Sequence, residues 1–274
     1  MVFTMVGRTL GVVCCMVLAD ELVHVISRDD EVSRVLVVKG EEGEVLEHKL
    51  RDGPRPFDVA MVDQVKLLRM DGDEGLTVLI RVLPAGPHNN SGELRAAIER
   101  AVDEICDRCD SIFLFYGLCR NSLYKTERIA DRIGKPVNLL VDTEGHPVDD
   151  CFGANIGGKR PYLNTIKENH GTIFVFPGYA ENWHRRQGKK DLVKVVEQVE
   201  QMRFVFERTG YDRVMMLENG LGDHEKFSER VNGFARMFNF QVLDRQCCLD
   251  VFEHSYAEAK KALDQRVGQR GQGA

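Results

Sequence analysis

Ser111-Ile-Phe-Leu-Phe-Tyr-Gly-Leu-Cys-Arg120 leaves this chain few ways to fold. Four consecutive apolar residues, Ile112 to Phe115, cannot alternate between a wet and a dry face. They read as a strand buried on both sides, which needs helices covering both faces of a sheet. Gly117 ends the run and a thiol, Cys119, follows just past it. In open parallel sheets, ligands bind beyond the carboxyl ends of the strands. Cys119 is therefore placed for chemistry, although a free cysteine also packs well as a small core residue.

The flanking pattern agrees. Leu94, Ala97, Ile98, Ala101, Val102 and Ile105 form one apolar stripe at helical spacing, so a helix is expected from about Glu93 to Cys109. Other expected strands are Leu10–Leu18, Val35–Val38, Leu76–Leu83, Val137–Val141, Thr172–Phe176, Val214–Leu217 and Phe240–Leu243. Helices are expected over Ala19–Ile26, Val59–Met70, Asn121–Ile133, Pro161–His170, Asp191–Arg208 and His224–Phe238. The acidic run Glu41–Glu44 reads as a solvated turn, and Asp142–Lys159 as a long functional loop. Strands alternating with helices predict an α/β fold, with a mostly parallel, Rossmann-like sheet and helices on both faces. Val12–Val17, Ile112–Tyr116 and Val137–Val141 are its expected interior strands. A single domain over 1–262, divisible into two lobes near 142–171, is expected to precede a flexible tail over 263–274.

A net charge of −6 argues against nucleic acid as the main partner. No apolar run reaches the roughly 20 residues that span a bilayer, and no leader peptide is read, so a cytoplasmic protein without a membrane partner is expected. In that compartment the eight cysteines are thiols, metal ligands or core residues, not disulfides.

Three thiols have the best positions. Cys15, Cys119 and Cys151 each lie in or after a different expected strand, and carboxyl ends of parallel strands converge on one edge. Three thiolates there would make a soft site for zinc or iron, with a fourth position open. Cys14 and Cys15 are adjacent, so only one can face such a site. Glu21 and His88 are the candidate acid or base. Tyr116, Gly117, Lys159 and Arg160 are the candidate cofactor-binding residues. Lys159 and Arg160 are expected at a helix start facing the same cavity as Cys119. Gly153-Ala-Asn-Ile-Gly-Gly-Lys159 nearly spells a phosphate loop, but Arg160 replaces the magnesium-binding Ser or Thr and the strand lies too far upstream. Nucleotide hydrolysis is rejected on that ground, and a simpler anion-holding role is kept. His146, five residues before Cys151, is a further candidate. Cys106-x-x-Cys109 sits at a helix end, not a start, so it is read as packing.

Val13-Cys-Cys-Met-Val-Leu-Ala-Asp-Glu-Leu22, Phe115-Tyr-Gly-Leu-Cys-Arg-Asn121, Asp149-Asp-Cys-Phe152 and His170-Gly-Thr-Ile-Phe-Val-Phe-Pro-Gly178 occur in an order that resembles one family, domain of unknown function 1638. The resemblance covers roughly Leu10 to Leu249. Three positions depart from the family pattern: Met16 and Arg120 stand where it has glycine, and Asp149 where it has histidine. The resemblance implies, by gene neighbourhood, one-carbon metabolism linked to corrinoid-dependent methyl transfer in anaerobes. Two functions follow. One is a metal-dependent transferase acting on a small molecule or a corrinoid-protein partner, with corrinoid arriving only on that partner. The other is a non-catalytic accessory protein carrying a metal or cofactor for a methyltransferase system.

Overall fold

The computed structural model describes residues 8–63, 75–85, 91–182 and 192–271. Six strands form one wholly parallel sheet in the order β3-β2-β4-β1-β5-β6. They are β1 (Arg8–Cys15), β2 (Val32–Val38), β3 (Val59–Val62), β4 (Leu76–Leu83), β5 (Ser111–Phe115) and β6 (Val137–Asn138). A second parallel sheet orders β7 (Thr172–Val175), β8 (Arg213–Glu218) and β9 (Gln241–Gln246) in sequence. This is an α/β, Rossmann-like architecture. The central strands β1, β4 and β5 carry almost no exposed residue, as both-face coverage requires.

The helices are α1 (Ala19–Ser27), α2 (Glu41–Asp52), α3 (Ser91–Ile105), α4 (Glu127–Ile133), α5 (Cys151–Ile156), α6 (Lys159–Glu168), α7 (Pro177–Asn182), α8 (Leu192–Thr209), α9 (His224–Phe238) and α10 (Asp250–Gly271). Right-handed crossovers send α1 and α2 to one face of the first sheet and α3 and α4 to the other. Chain direction therefore reverses between β1 and β4, and the carboxyl ends of those two strands border a topological switch point. Among the described residues, no helix is long and apolar enough to cross a membrane.

The two sheets share a core. Along β8 the side chains alternate: Met215 and Leu217 join the core of the first sheet, while Val214 and Met216 face Phe227, Val231 and Ala235 of α9. The last helix then returns to the first sheet. Phe252 stacks on Phe115 at 5.6 Å, Ser255 Oγ accepts from Val141 N at 2.9 Å, and Tyr256 and Lys260 both reach Asp29 at 2.8 Å. α10 continues to Gly271 with Leu263 buried, where the sequence reads as a flexible tail from 263.

Several elements correct the sequence reading. Val59–Val62 is a strand beside β2, not the start of a helix; 64–70, the rest of that expected helix, lie outside the described residues. Glu41–Glu44 is not a turn but the first turn of α2, where carboxylates meet the positive end of the helix dipole. The first strand stops at Cys15, and Met16–Leu18 forms a 3₁₀ turn. Val137–Val141 is not an interior strand. Only Val137 and Asn138 pair, at the edge, because Leu140 N turns away to Tyr116 O and Val141 bridges Pro147. The helix expected from Asn121 begins at Glu127, and the expected 142–159 loop contains α5.

Candidate functional site

Cys15 is the last residue of β1, beside Leu83 of β4, and Cys14 lies beside Phe115 of β5. Strand alternation sends the Cys14 sulfur elsewhere, where it donates to Cys15 O at 3.1 Å. Past β5 the chain makes an unusually close approach. A Cβ on Gly117 would lie 2.7 Å from Val148 O and 2.9 Å from Asp150 N, so no side chain fits there. That approach lets Leu118 N donate to Val148 O and Cys119 N to Asp149 O, both at 2.8 Å. Cys119, Arg120 and Asn121 then adopt φ of 43°, 58° and 62°, three successive non-glycine residues in the left-handed region. Each costs about 1–2 kcal/mol. Strain of this kind is held only where surrounding structure over-determines it, and it concentrates at functional sites.

The 148–150 segment carries the third thiol. Asp150 caps α5: its Oδ1 accepts from Phe152 N and Gly153 N, both at 2.9 Å, and its Oδ2 accepts from the Tyr162 hydroxyl at 3.2 Å. The cap fixes Cys151 as the first helical residue. Gly117 on one side and Asp150 on the other thus bring Cys119 and Cys151 to one place.

The three thiols share an electrostatic neighbourhood. Burial pushes Cys119 up first, then Cys15 and Asp150. Burial also holds Cys151 well above the usual thiol range, followed by Asp150, Cys119, Cys15 and Glu21. Cys151 keeps part of its residue surface accessible, yet its sulfur sits as deep as the others. Glu21, in the first turn of α1, is 1 % exposed. Its carboxyl is pushed up to about 8, by burial and then by Asp20, against opposing hydrogen bonds from its own backbone, Asn155 and Asn219. Glu21 Oε1 accepts from Asn219 Nδ2 at 2.9 Å, whereas Oε2 is buried without a hydrogen-bond partner among the described residues. The Tyr116 hydroxyl is buried beside Cys15.

The sequence-predicted residues thus divide. Cys15, Cys119, Cys151, Glu21, Tyr116 and Gly117 come together. Lys159 and Arg160 start α6 as expected, but both are exposed, and the helix terminus already faces the Asp142 carboxylate (Lys159 N to Oδ2, 3.4 Å). His146 is largely exposed and faces Asp142 and Glu144, each at 3.6 Å. His88 lies outside the described residues. Cys109 is a packing residue: a Cβ on Gly11 would lie 2.6 Å from its sulfur. Among the described residues, no group of three His, Cys, Asp or Glu stands in ready-made metal-ligating geometry. Coordination of one ion by the three thiols therefore requires their side chains to draw in around it.

Sequence reasoning missed Asp150, Asn155 and Asn219. The Asp150 cap was visible as an aspartate opening a short helix. Asn219 gives no such signal beyond its place after a strand. A recess of about 120 Å³ opens at the β1–β4 switch point, lined by Met16, which follows Cys15, and by Glu41, Glu42, Pro84, Ala85 and Asn182.

The family model described as "Protein of unknown function (DUF1638)" matches residues 82–256, which include Cys119, Cys151, Asn155 and Asn219 but not Cys15 or Glu21. No curated protein matches the chain.

Proposed function

We propose that this protein, which belongs to the DUF1638 family, is a metal-thiolate protein that uses Cys15, Cys119 and Cys151 as ligands to zinc or iron and acts as a metal-dependent transferase. The observation that carries the reading is the gathering of three thiols around the buried Tyr116 hydroxyl and Glu21 Oε2, the latter without a hydrogen-bond partner among the described residues. Desolvation keeps Cys119 and Cys151 protonated in the metal-free chain. The donor set is soft, and Glu21 Oε2 is a buried oxygen that a further ligand would satisfy, so the residues fit such an ion. A bound divalent cation would supply the charge that makes the thiolates stable at neutral pH, and a position at which a substrate thiol or water is activated.

The chain's own residues do the rest. Glu21 Oε2 is free to take or give a proton at that position. The 118–121 loop holds Cys119 in a strained but fixed geometry, which limits reorganisation on binding. A small substrate would approach from the recess at the β1–β4 switch point, whose wall includes Met16, the residue after Cys15. The one-carbon setting and a corrinoid-protein partner rest on the family resemblance. The depth of the thiols favours a second reading, a non-catalytic carrier that passes its metal or cofactor to a methyltransferase system. Elemental analysis of anaerobically purified protein tests the shared core of both: about one zinc or iron per chain is expected. Metal-free protein that takes up neither ion would remove both readings. Methyl transfer to a small thiol by metal-loaded protein, with and without added corrinoid protein, separates the enzyme from the carrier.

A further inference from the structure

We propose that Asn219, from the second sheet, is the positioning residue of the thiol site. The inference rests on the proposed thiol site, and its test separates the two.

Asn219 follows β8 and is 7 % exposed. Its amide is fully committed. Nδ2 donates to Glu21 Oε1 at 2.9 Å and to Asn155 Oδ1 at 2.8 Å, while Oδ1 accepts from Leu221 N at 3.0 Å. Turning the amide over would set its oxygen against Asn155 Oδ1, whose own amide is held by its bond to Cys151 O, so the orientation is fixed. Asn155, fully buried, passes the constraint on: its Nδ2 donates to Cys151 O at 3.0 Å. One side chain of the second sheet thus holds Glu21 of α1 by Oε1, which leaves Oε2 as the free oxygen. Through Asn155 it also holds the turn that carries Cys151. Every other side chain of the cluster belongs to the first sheet or to the segments sewn onto it. The site is therefore incomplete until the second sheet docks, and Asn219 is the contact that completes it. Buried polar groups so far apart in sequence are not placed by local structure, and Asn219, with both amide N–H groups bonded, admits one arrangement.

The test exchanges donor and acceptor. Asn219→Asp keeps the shape but replaces the amide donor with a carboxylate that faces Asn155 Oδ1 with no proton between them. Adding Glu21→Gln supplies a permanent donor on the Glu21 side of that carboxylate and leaves an amide oxygen where Oε2 stood, while Asn155 Oδ1 still faces the carboxylate. The first readout uses iodoacetamide on metal-free protein, with mass spectrometry of Cys151. Cys109, packed on Gly11, reports global unfolding. Alkylation of Cys151 should speed up about tenfold in Asn219→Asp, while Cys109 stays protected, because a broken buried hydrogen bond opens the turn. The double variant should recover only part of the parent's protection, because the Glu21 contact is restored and the Asn155 contact is not. The second readout is zinc affinity by chelator competition, expected to fall about 10- to 100-fold in Asn219→Asp and to recover in part in the double variant. Should Asn219→Asp expose Cys109 as well, the double variant decides alone: folded with a partly protected Cys151 supports the role, and unfolded overturns it. Parent-like alkylation in Asn219→Asp, or a double variant no better than the single, overturns it too. A parent protein that takes no zinc removes the metal reading, and the alkylation comparison still decides Asn219.

Discussion

Gly117→Ala is the sharpest perturbation of the thiol site that leaves every thiol in place. The backbone angle is no obstacle, since Gly117 is not in the left-handed region. The obstacle is space. The new methyl would stand 2.7 Å from Val148 O, 2.9 Å from Asp150 N and 3.0 Å from Asp150 Cα, against an ordinary contact of 3.4 Å or more. All three neighbours are backbone, so the loop and the 148–150 segment must part by about 0.4–0.7 Å, the shortfall in those contacts. That stretches two hydrogen bonds, Leu118 N to Val148 O and Cys119 N to Asp149 O, from 2.8 Å toward the edge of bonding range. Each contributes about 0.5–1.5 kcal/mol net. Overpacking adds about 1–3 kcal/mol, and the lower chain entropy of unfolded alanine returns about 0.4–1 kcal/mol. The balance is a loss of about 1–5 kcal/mol, a sizeable part of a typical domain's stability. Urea unfolding should show a lower midpoint at unchanged slope. Native-state alkylation of Cys119 should speed up in the same variant. A stability loss under about 0.5 kcal/mol with unchanged Cys119 alkylation would refute the close-approach argument.

Two further outcomes follow from the same geometry. Arg120→Gly puts a permissive residue at φ 58°, the position where the family pattern has glycine; relief of about 1–2 kcal/mol, less about 0.5–1 kcal/mol of glycine entropy, should raise the urea midpoint slightly, and a lower midpoint contradicts the strain reading. Glu21 is raised from its ordinary 4.5 to about 8, chiefly by burial, so the folded metal-free chain keeps a proton that the unfolded chain releases. Stability should therefore fall as pH rises from about 4.5 to about 8 and level off above, and in Glu21→Gln that slope should be reduced by the share Glu21 carries; an unchanged slope across urea titrations at pH 5, 7 and 9 contradicts it.

Much of the fold is legible in local pattern. Leu76–Leu83 and His224–Phe238 are read to the residue because their apolar spacing matches one period only. Val59-Ala-Met-Val62 is misread because four residues suit either period, and pairing with β2 decides between them. The left-handed run at Cys119–Asn121 is invisible because no glycine marks it. The three thiols are foreseeable as a group because the carboxyl ends of parallel strands converge. Lys159 and Arg160 are drawn toward that group by a near-motif, whereas their helix start is already occupied by Asp142. Asn155 and Asn219 are not foreseeable at all. Their role is created by a contact between residues 21 and 219, and nothing in an isolated Glu-Asn-Gly sequence announces it.

Zinc binding by two single-cysteine variants tests the central claim most directly. Cys119→Ser removes a proposed ligand, whereas Cys106→Ser removes a half-buried thiol on the 3₁₀ turn after α3, away from the cluster. Anaerobic, metal-free protein is titrated with zinc against a chromophoric chelator, and thermal unfolding confirms that each variant is folded. The parent and Cys106→Ser should each bind about one zinc with equal affinity, and Cys119→Ser should lose it or bind far more weakly. Equal zinc content and affinity in all three proteins would contradict a shared site built on Cys119.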